Sequence, residues 1–179
     1  MRSLECEKRA MLTFAQYQRI LADYIALYPK YEMIDIENIY FEDDHFSLRK
    51  NHSILRKRII NNKNEELTLK IKGDKGDIEI NETMDFHPEI DKELNYKFND
   101  YHPITSLKTK RIEIKIEDYL LVIDQNFYNG IIDYDIEIEA SSIDKAEKAI
   151  LEICQKYDIE YKKDYPSKTF RAIASMKIQ

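Results

Sequence analysis

Across residues 133–139 (Asp-Tyr-Asp-Ile-Glu-Ile-Glu) every odd position is acidic and every even one apolar or aromatic. Successive side chains of a strand point to opposite faces, so this period of two asks for a strand with one face in a core and one charged. The alternation recurs at residues 4–9, 55–59, 66–72, 77–81 and 109–116, while 36–41 and 120–124 read as more apolar strands. Together these segments predict an antiparallel sheet of about eight strands that separates an apolar side from a charged one.

The apolar side needs cover, and the sequence supplies helices for it. Thr13 followed by Gln16 is a capping-box signature, and Phe14, Tyr17, Leu21, Tyr24, Ile25 and Tyr28 recur at helical spacing up to Pro29. Those tyrosines read as core packing. Ser142 with Asp144 starts a second helix through Tyr157, carrying Ala146, Ala149, Ile150 and Ile153 inward. Pro88, Ile90, Leu94 and Phe98 mark a short connecting helix between the two halves of the sheet. Hairpin turns are expected at residues 61–64 and 73–76. The acidic run Glu42-Asp43-Asp44-His45 reads as a solvated turn, and His52, His87 and His102 lack ligand spacing. Beyond residue 160 lies a Lys-rich tail with Ser167, Lys168 and Arg171.

Composition narrows the function classes. At 179 residues the chain fits one domain, 1–179, with a sizeable core. Only 3 glycines are present, which argues against a glycine-rich phosphate loop. A net charge of −6 argues against a general nucleic-acid binder. The two cysteines, Cys6 and Cys154, cannot form a disulfide framework or zinc ribbon and suit a reducing, cytoplasmic setting. No apolar run reaches membrane-spanning length, so no membrane partner is expected.

The charged faces carry the functional information. Glu5, Glu7 and Arg9 share one face of the first strand, with Leu4 and Cys6 on the other. Two carboxylates and a cation so arranged can hold a metal beside an anion, although an exposed strand of mixed charge is the commoner source of the pattern. The later strands add Glu79, Glu113, Asp135, Glu137 and Glu139 among acids, and Arg56, Arg58, Lys70, Lys72 and Arg111 among bases, with Lys168 from the tail. Acids concentrate in the first and last strands, bases between them. A polyanion flanked by divalent cations would satisfy both sets, whereas a merely solvated face has no reason to sort its signs.

These residues, with Tyr40-Phe41, Thr68-Leu69-Lys70, Thr109-Lys110-Arg111, Asp124 and Ser167-Lys168, resemble the CYTH family, the triphosphate tunnel metalloenzymes, most closely its bacterial thiamine-triphosphatase-like branch. The resemblance implies an α+β fold: a closed antiparallel eight-stranded β-barrel, a triphosphate tunnel with flanking helices. It implies Mg2+ or Mn2+ held by Glu5, Glu7, Glu79, Asp135, Glu137 and Glu139. It also implies phosphate binding by Arg9, Arg56, Arg58, Lys70, Lys72, Arg111 and Lys168, with Glu5, Glu7 and Arg9 at the catalytic centre. Two positions depart from the family pattern: Arg9 stands where Lys closes the Glu-x-Glu-x-Lys motif, and Asp135 where Glu is usual. Arginine cannot give up its proton near neutral pH, so Arg9 is expected to act as an electrostatic clamp.

The expected activity is metal-assisted hydrolysis of a terminal phosphoanhydride of inorganic triphosphate, thiamine triphosphate or a nucleotide, by a monomer or homodimer. A class IV-like adenylate cyclase and a non-catalytic polyphosphate or nucleotide-binding module remain as alternatives, because each needs the same cradle. Cyclisation also needs a fixed base, and Tyr40 and Phe41 read better as core than as a purine platform.

Overall fold

The computed structural model describes residues 2–73, 77–94 and 98–176, with side chains described from Cys6 onward. The turn expected at 73–76 falls largely outside the described residues. In chain order the elements are β1 (Arg2–Glu5), β2 (Glu7–Leu12), α1 (Phe14–Leu27), β3 (Glu32–Glu42), α2 (Ser47–Lys50), β4 (Ser53–Ile60), β5 (Asn64–Ile71) and β6 (Asp77–Glu82). There follow α3 (Pro88–Leu94), a 3-10 turn, β7 (His102–Ile116), β8 (Tyr119–Tyr128), β9 (Ile131–Ala140), α4 (Ile143–Tyr157) and α5 (Lys168–Ala174).

The strands form one curled antiparallel sheet in the order β1-β6-β5-β4-β3-β7-β8-β9-β2. β1 and β2 are one N-terminal strand interrupted at Cys6, so the nine segments amount to eight strands. Its first half pairs with β6, Glu5 opposite Asp77, and its second half with β9, Glu7 opposite Glu139. Short turns set the registers. Asn129 and Gly130 both hold positive φ between β8 and β9, as a two-residue turn matched to strand twist requires.

The even-numbered side of β9 and its neighbours is apolar and covered. Ala10, Ile114, Leu121, Ile123, Ile136 and Ile138 pack against Ile20 and Tyr24 of α1 and against Ala146, Ile150 and Ile153 of α4. Thr13 closes the capping box with Gln16, and Ser142 caps α4, as their sequences predict. Beyond β3 a second cluster joins Leu55, Leu67, Leu69 and Ile80 to Leu48 of α2 and Ile90 of α3. Each such fully buried side chain contributes roughly 1.5–3 kcal/mol. Helices α1 to α4 thus occupy the outer face, and among the described side chains the charged side of most strands is left on the inner face.

One local expectation changes, and one segment gains an element that the sequence leaves unassigned. Glu42 is no solvated turn residue: it is buried and accepts the amides of Leu48 and Arg49 at 2.9 and 3.0 Å, anchoring α2. Part of the Lys-rich tail is helical, because Ser167 accepts the amide of Phe170 and caps α5. α5 sits against the inner face, where Ala172 packs with Tyr40, Leu107 and Tyr128.

Candidate functional site

Register brings the inner-face charges together. Across β2, β9, β8 and β7, Arg9 lies opposite Glu137, Asp135 opposite Asp124, and Asp124 opposite Arg111. Across β4, β5 and β6, Arg56 lies opposite Thr68, and Lys70 opposite Glu79. Strand pairing therefore builds two walls, one rich in acids and one rich in bases.

Glu137 is the centre of the acid-rich wall. Its carboxylate lies 3.3 Å from Arg9, 3.2 Å from Arg111 and 3.0 Å from Lys168. Burial works to raise its pKa, but Lys168, Arg9 and Arg111 outweigh it and hold Glu137 well below the usual carboxylate range. Asp124, fully buried, accepts two hydrogen bonds from Arg111 at 3.0 and 2.9 Å and a third from Lys168. Burial likewise raises Glu7, yet Arg9 and Lys70 keep it ionised and below its ordinary value. Arg9 bonds Glu7 directly and Lys70 reaches it at 3.4 Å.

Asp135 behaves differently. One oxygen accepts hydrogen bonds from Asn126 at 2.8 Å and Arg171 at 2.5 Å, while Oδ1 is buried without a hydrogen-bond donor. Burial first, with Glu137 and Asp124 adding repulsion, pushes its pKa up despite Lys168. Asp124, Asp135 and Glu137 each offer an oxygen within 4.8 Å of the others, as do Glu7, Glu137 and Glu139. Either set could hold a cation, and its all-oxygen chemistry suits a hard divalent ion.

The base-rich wall has the complementary shortage. Arg56 and Arg58 share Glu79, at 3.2 and 4.0 Å, and Arg58 also reaches Glu66 and Asn38 at 3.4 Å. Burial, then the charge of Arg56, lowers the Arg58 guanidinium to about 10. Nε of Arg56 is buried with no acceptor. Arg9, Arg111 and Lys168, facing more carboxylates, are all raised despite burial, because Glu7, Asp124 and Glu137 outweigh that cost.

Most residues singled out in the sequence meet here: Glu7, Arg9, Arg56, Arg58, Lys70, Glu79, Arg111, Asp135, Glu137, Glu139 and Lys168 line the inner face. Glu113 joins them through Arg111 at 3.4 Å. Lys72 does not. It is exposed just past the end of β5, its amide bonded to the carbonyl of His52 at 3.1 Å. The backbone of Glu5 pairs with Asp77, but its side chain lies outside the described residues. Sequence reasoning missed Asp133, Asn126 and Arg171 as members of the cluster. Asp133 shares the parity of Asp135 and Glu137, and Arg171 follows Lys168 by three residues, which only helical geometry makes a common face.

A CYTH domain model matches residues 4–169 of the chain. "Putative triphosphatase YjbK" of Bacillus subtilis (strain 168) is 32% identical over 169 residues, 87% of this chain and 87% of that one. The crystal structure of "a putative adenylate cyclase" from Bacillus halodurans superposes with a TM-score of 0.82 at 25% identity, covering 95% of this chain and 97% of the other. A Hippeastrum protein, called a "putative adenylyl cyclase" with a dominant triphosphatase activity, superposes with a TM-score of 0.72 at 19% identity over 100% of this chain and 98% of its own.

Proposed function

The chain belongs to the CYTH domain family, and from that premise we propose that it is a divalent-metal-dependent triphosphatase acting as one domain, its sheet closed into a barrel around the substrate. Support for closure comes from the N-terminal strand, whose halves bond β6 and β9 with only Cys6 between them, and from the Ala140 amide bonding the Cys6 carbonyl at 3.0 Å. The substrate is inorganic triphosphate or an organic triphosphate such as thiamine triphosphate or a nucleotide.

One observation carries the reading: in a lining of opposed charges, Asp135 Oδ1 and Arg56 Nε are buried without hydrogen-bond partners, with Lys168 3.8 Å from the first and Glu79 3.2 Å from the Arg56 guanidinium. A cation–triphosphate complex would supply a partner for each, an ion for the carboxylate oxygen and a phosphate oxygen for the guanidinium N–H. Asp135, Glu137 and Asp124, or Glu7 with Glu137 and Glu139, would hold Mg2+ or Mn2+. When bound, such an ion supplies Lewis-acid polarisation of phosphate oxygens and a more acidic water.

The protein's own groups bind, orient and neutralise. Arg56, Arg58, Lys70, Arg111 and Lys168 surround phosphate oxygens with donors and offset charge that grows on the bridging oxygen as its bond to the terminal phosphorus breaks. Water oxygen joins that phosphorus, releasing orthophosphate and a diphosphate product. Arg9 keeps its proton throughout, since burial and its carboxylate neighbours leave its pKa raised, so it clamps charge between Glu7 and Glu137 rather than accepting a proton.

Product analysis tests this. Purified protein with Mg2+ or Mn2+ should release orthophosphate from tripolyphosphate, thiamine triphosphate or ATP. Pyrophosphate and cyclic AMP in equal amounts from ATP would instead establish a cyclase, and tight binding without any product a binding module.

A further inference from the structure

α5 is seven residues long, too short to hold helical form alone in water, so its contacts with the sheet must fix it. Three kinds of contact do so. Ala172 is fully buried among Tyr40, Leu107 and Tyr128, and its carbonyl accepts from Asn129 at 2.8 Å. Arg171 donates from Nε to Asp133 Oδ2 at 2.8 Å and from Nη2 to Asp133 Oδ1 at 3.1 Å, a two-pronged pair. The same Nη2 reaches Asp135 at 2.5 Å, and Nη1 bonds the Pro166 carbonyl at 3.0 Å. Asp133 is itself held, accepting from Asn126 at 3.0 Å and from the Tyr128 hydroxyl.

Lys168 rides on the same helix, three residues before Arg171, and so on the same side. Its amine is set between Asp124 and Glu137, two buried acids of the site. A buried lysine on a free tail would instead swing into water, where its charge is better solvated. We propose that Asp133 and Arg171 are positioning residues whose ion pair latches α5 to β9 and thereby places Lys168 at the phosphate-binding centre. The role of Lys168 toward substrate rests on the triphosphatase reading; the latch itself does not.

Two measurements separate these. Brief acetylation with acetic anhydride, mapped by mass spectrometry, reads the accessibility of each lysine without substrate. Lys70 is a matched control, 14% exposed against 15% for Lys168 but carried by β5, while Lys162 and Lys163 report fully reactive amines. In Arg171→Ala, labelling of Lys168 should rise about tenfold, the scale of losing one such coupling, with Lys70 unchanged. Asp133→Asn, which keeps side-chain size, should give the same pattern and serves if Arg171→Ala does not fold. Unchanged labelling of Lys168, or an equal rise at Lys70, overturns the latch.

Kinetics with tripolyphosphate then test the route of action. Arg171→Ala and Lys168→Ala should each raise KM roughly tenfold, and the double variant should be no worse than Lys168→Ala by more than about twofold. Multiplying effects would show that Arg171 acts independently of Lys168 and would sink the proposal. Selective labelling in a protein that cleaves no triphosphate would leave the latch standing and remove the function reading.

Discussion

The β9–β8 wall and the β4–β5 wall of the same inner face carry opposite faults. Around Glu137, three cations crowd one carboxylate and yet Asp135 beside it retains an unmet oxygen and a raised pKa. Around Glu79, two arginines share one carboxylate, leaving Arg58 lowered to about 10 and Arg56 with an unmet donor. A lining tuned only for stability would have paired these groups with each other. Their placement on different strands keeps Asp135 Oδ1 and Arg56 Nε from bonding one another, although each group has an ion partner, Arg171 at 2.5 Å from Asp135 and Glu79 at 3.2 Å from Arg56. On the proposed function, the acid-rich wall faces a cation and the base-rich wall a phosphate.

The largest effect should come from removing the hub of the acid-rich wall. Glu137→Gln leaves Arg9, Arg111 and Lys168 facing less negative charge, so we expect about 3–5 kcal/mol of lost stability, as when one partner of a buried pair is deleted. Turnover of tripolyphosphate should fall by about 10²–10³ or more. Chemical denaturation and steady-state rates together check this. A stable variant with full activity would erase the distinction between the walls.

On the base-rich side, Arg56→Ala should weaken tripolyphosphate about 10- to 100-fold, the range for one charge-assisted contact, without altering the effect of Mg2+ alone. Tripolyphosphate-induced thermal stabilisation gives the readout, since a ligand of the native state raises the melting temperature by mass action. A loss of Mg2+ response in this variant would mean that the walls are not chemically distinct.

This division was partly legible in the sequence, and the reason is strand parity. Alternation assigned Glu7, Arg9, Arg111, Asp135 and Glu137 to one face because a strand imposes that geometry locally. Likewise Thr13 with Gln16 and Ser142 announced α1 and α4, whose caps are local hydrogen bonds. What parity cannot show is where a strand stops. Lys72 shares the parity of Lys70 but lies beyond Ile71, where β5 ends, and so leaves the inner face. Nor does it show tertiary anchors. Arg171 needs both the short helix and the distant Asp133, 38 residues away, before it has meaning. The break at Cys6 was invisible too, because it arises from one strand bonding two separate neighbours, β6 and β9.

Asp135→Asn should produce a smaller effect, of opposite sign to Glu137→Gln. The amide oxygen can keep the hydrogen bonds from Asn126 and Arg171 while a charge disfavoured by burial and by the neighbouring Glu137 and Asp124 disappears. A folded pKa raised above the unfolded value means that wild type is unpenalised below the unfolded pKa, about 4, and loses stability as pH rises through the folded one. Metal-free Asp135→Asn should therefore match wild type near pH 4 and be the more stable of the two at neutral pH. Stabilisation by Mg2+ or Mn2+ should shrink in the variant. A destabilised variant at pH 7, or one with an undiminished metal response, would show that the acid-rich wall needs no outside cation.

The smallest effect should be that of Lys72→Ala, and its smallness is what sharpens the comparison. Lys70 and Lys72 are two residues apart with the same parity, so sequence spacing treats them alike. Lys70 lies on β5 opposite Glu79, within 3.4 Å of Glu7 and 3.5 Å of Asp77, whereas Lys72 is exposed past the strand end. An exposed cation acts on an anion through water and salt, and such contacts are worth about 0–1 kcal/mol. Lys72→Ala should thus change tripolyphosphate kcat/KM by less than about fivefold, with the difference fading as salt is raised, while Lys70→Ala keeps a large defect at every ionic strength. Parallel salt titrations of the two variants check it. Equal, salt-insensitive losses would mean that Lys72 reaches the bound phosphates, and that the base-rich wall extends past the end of β5.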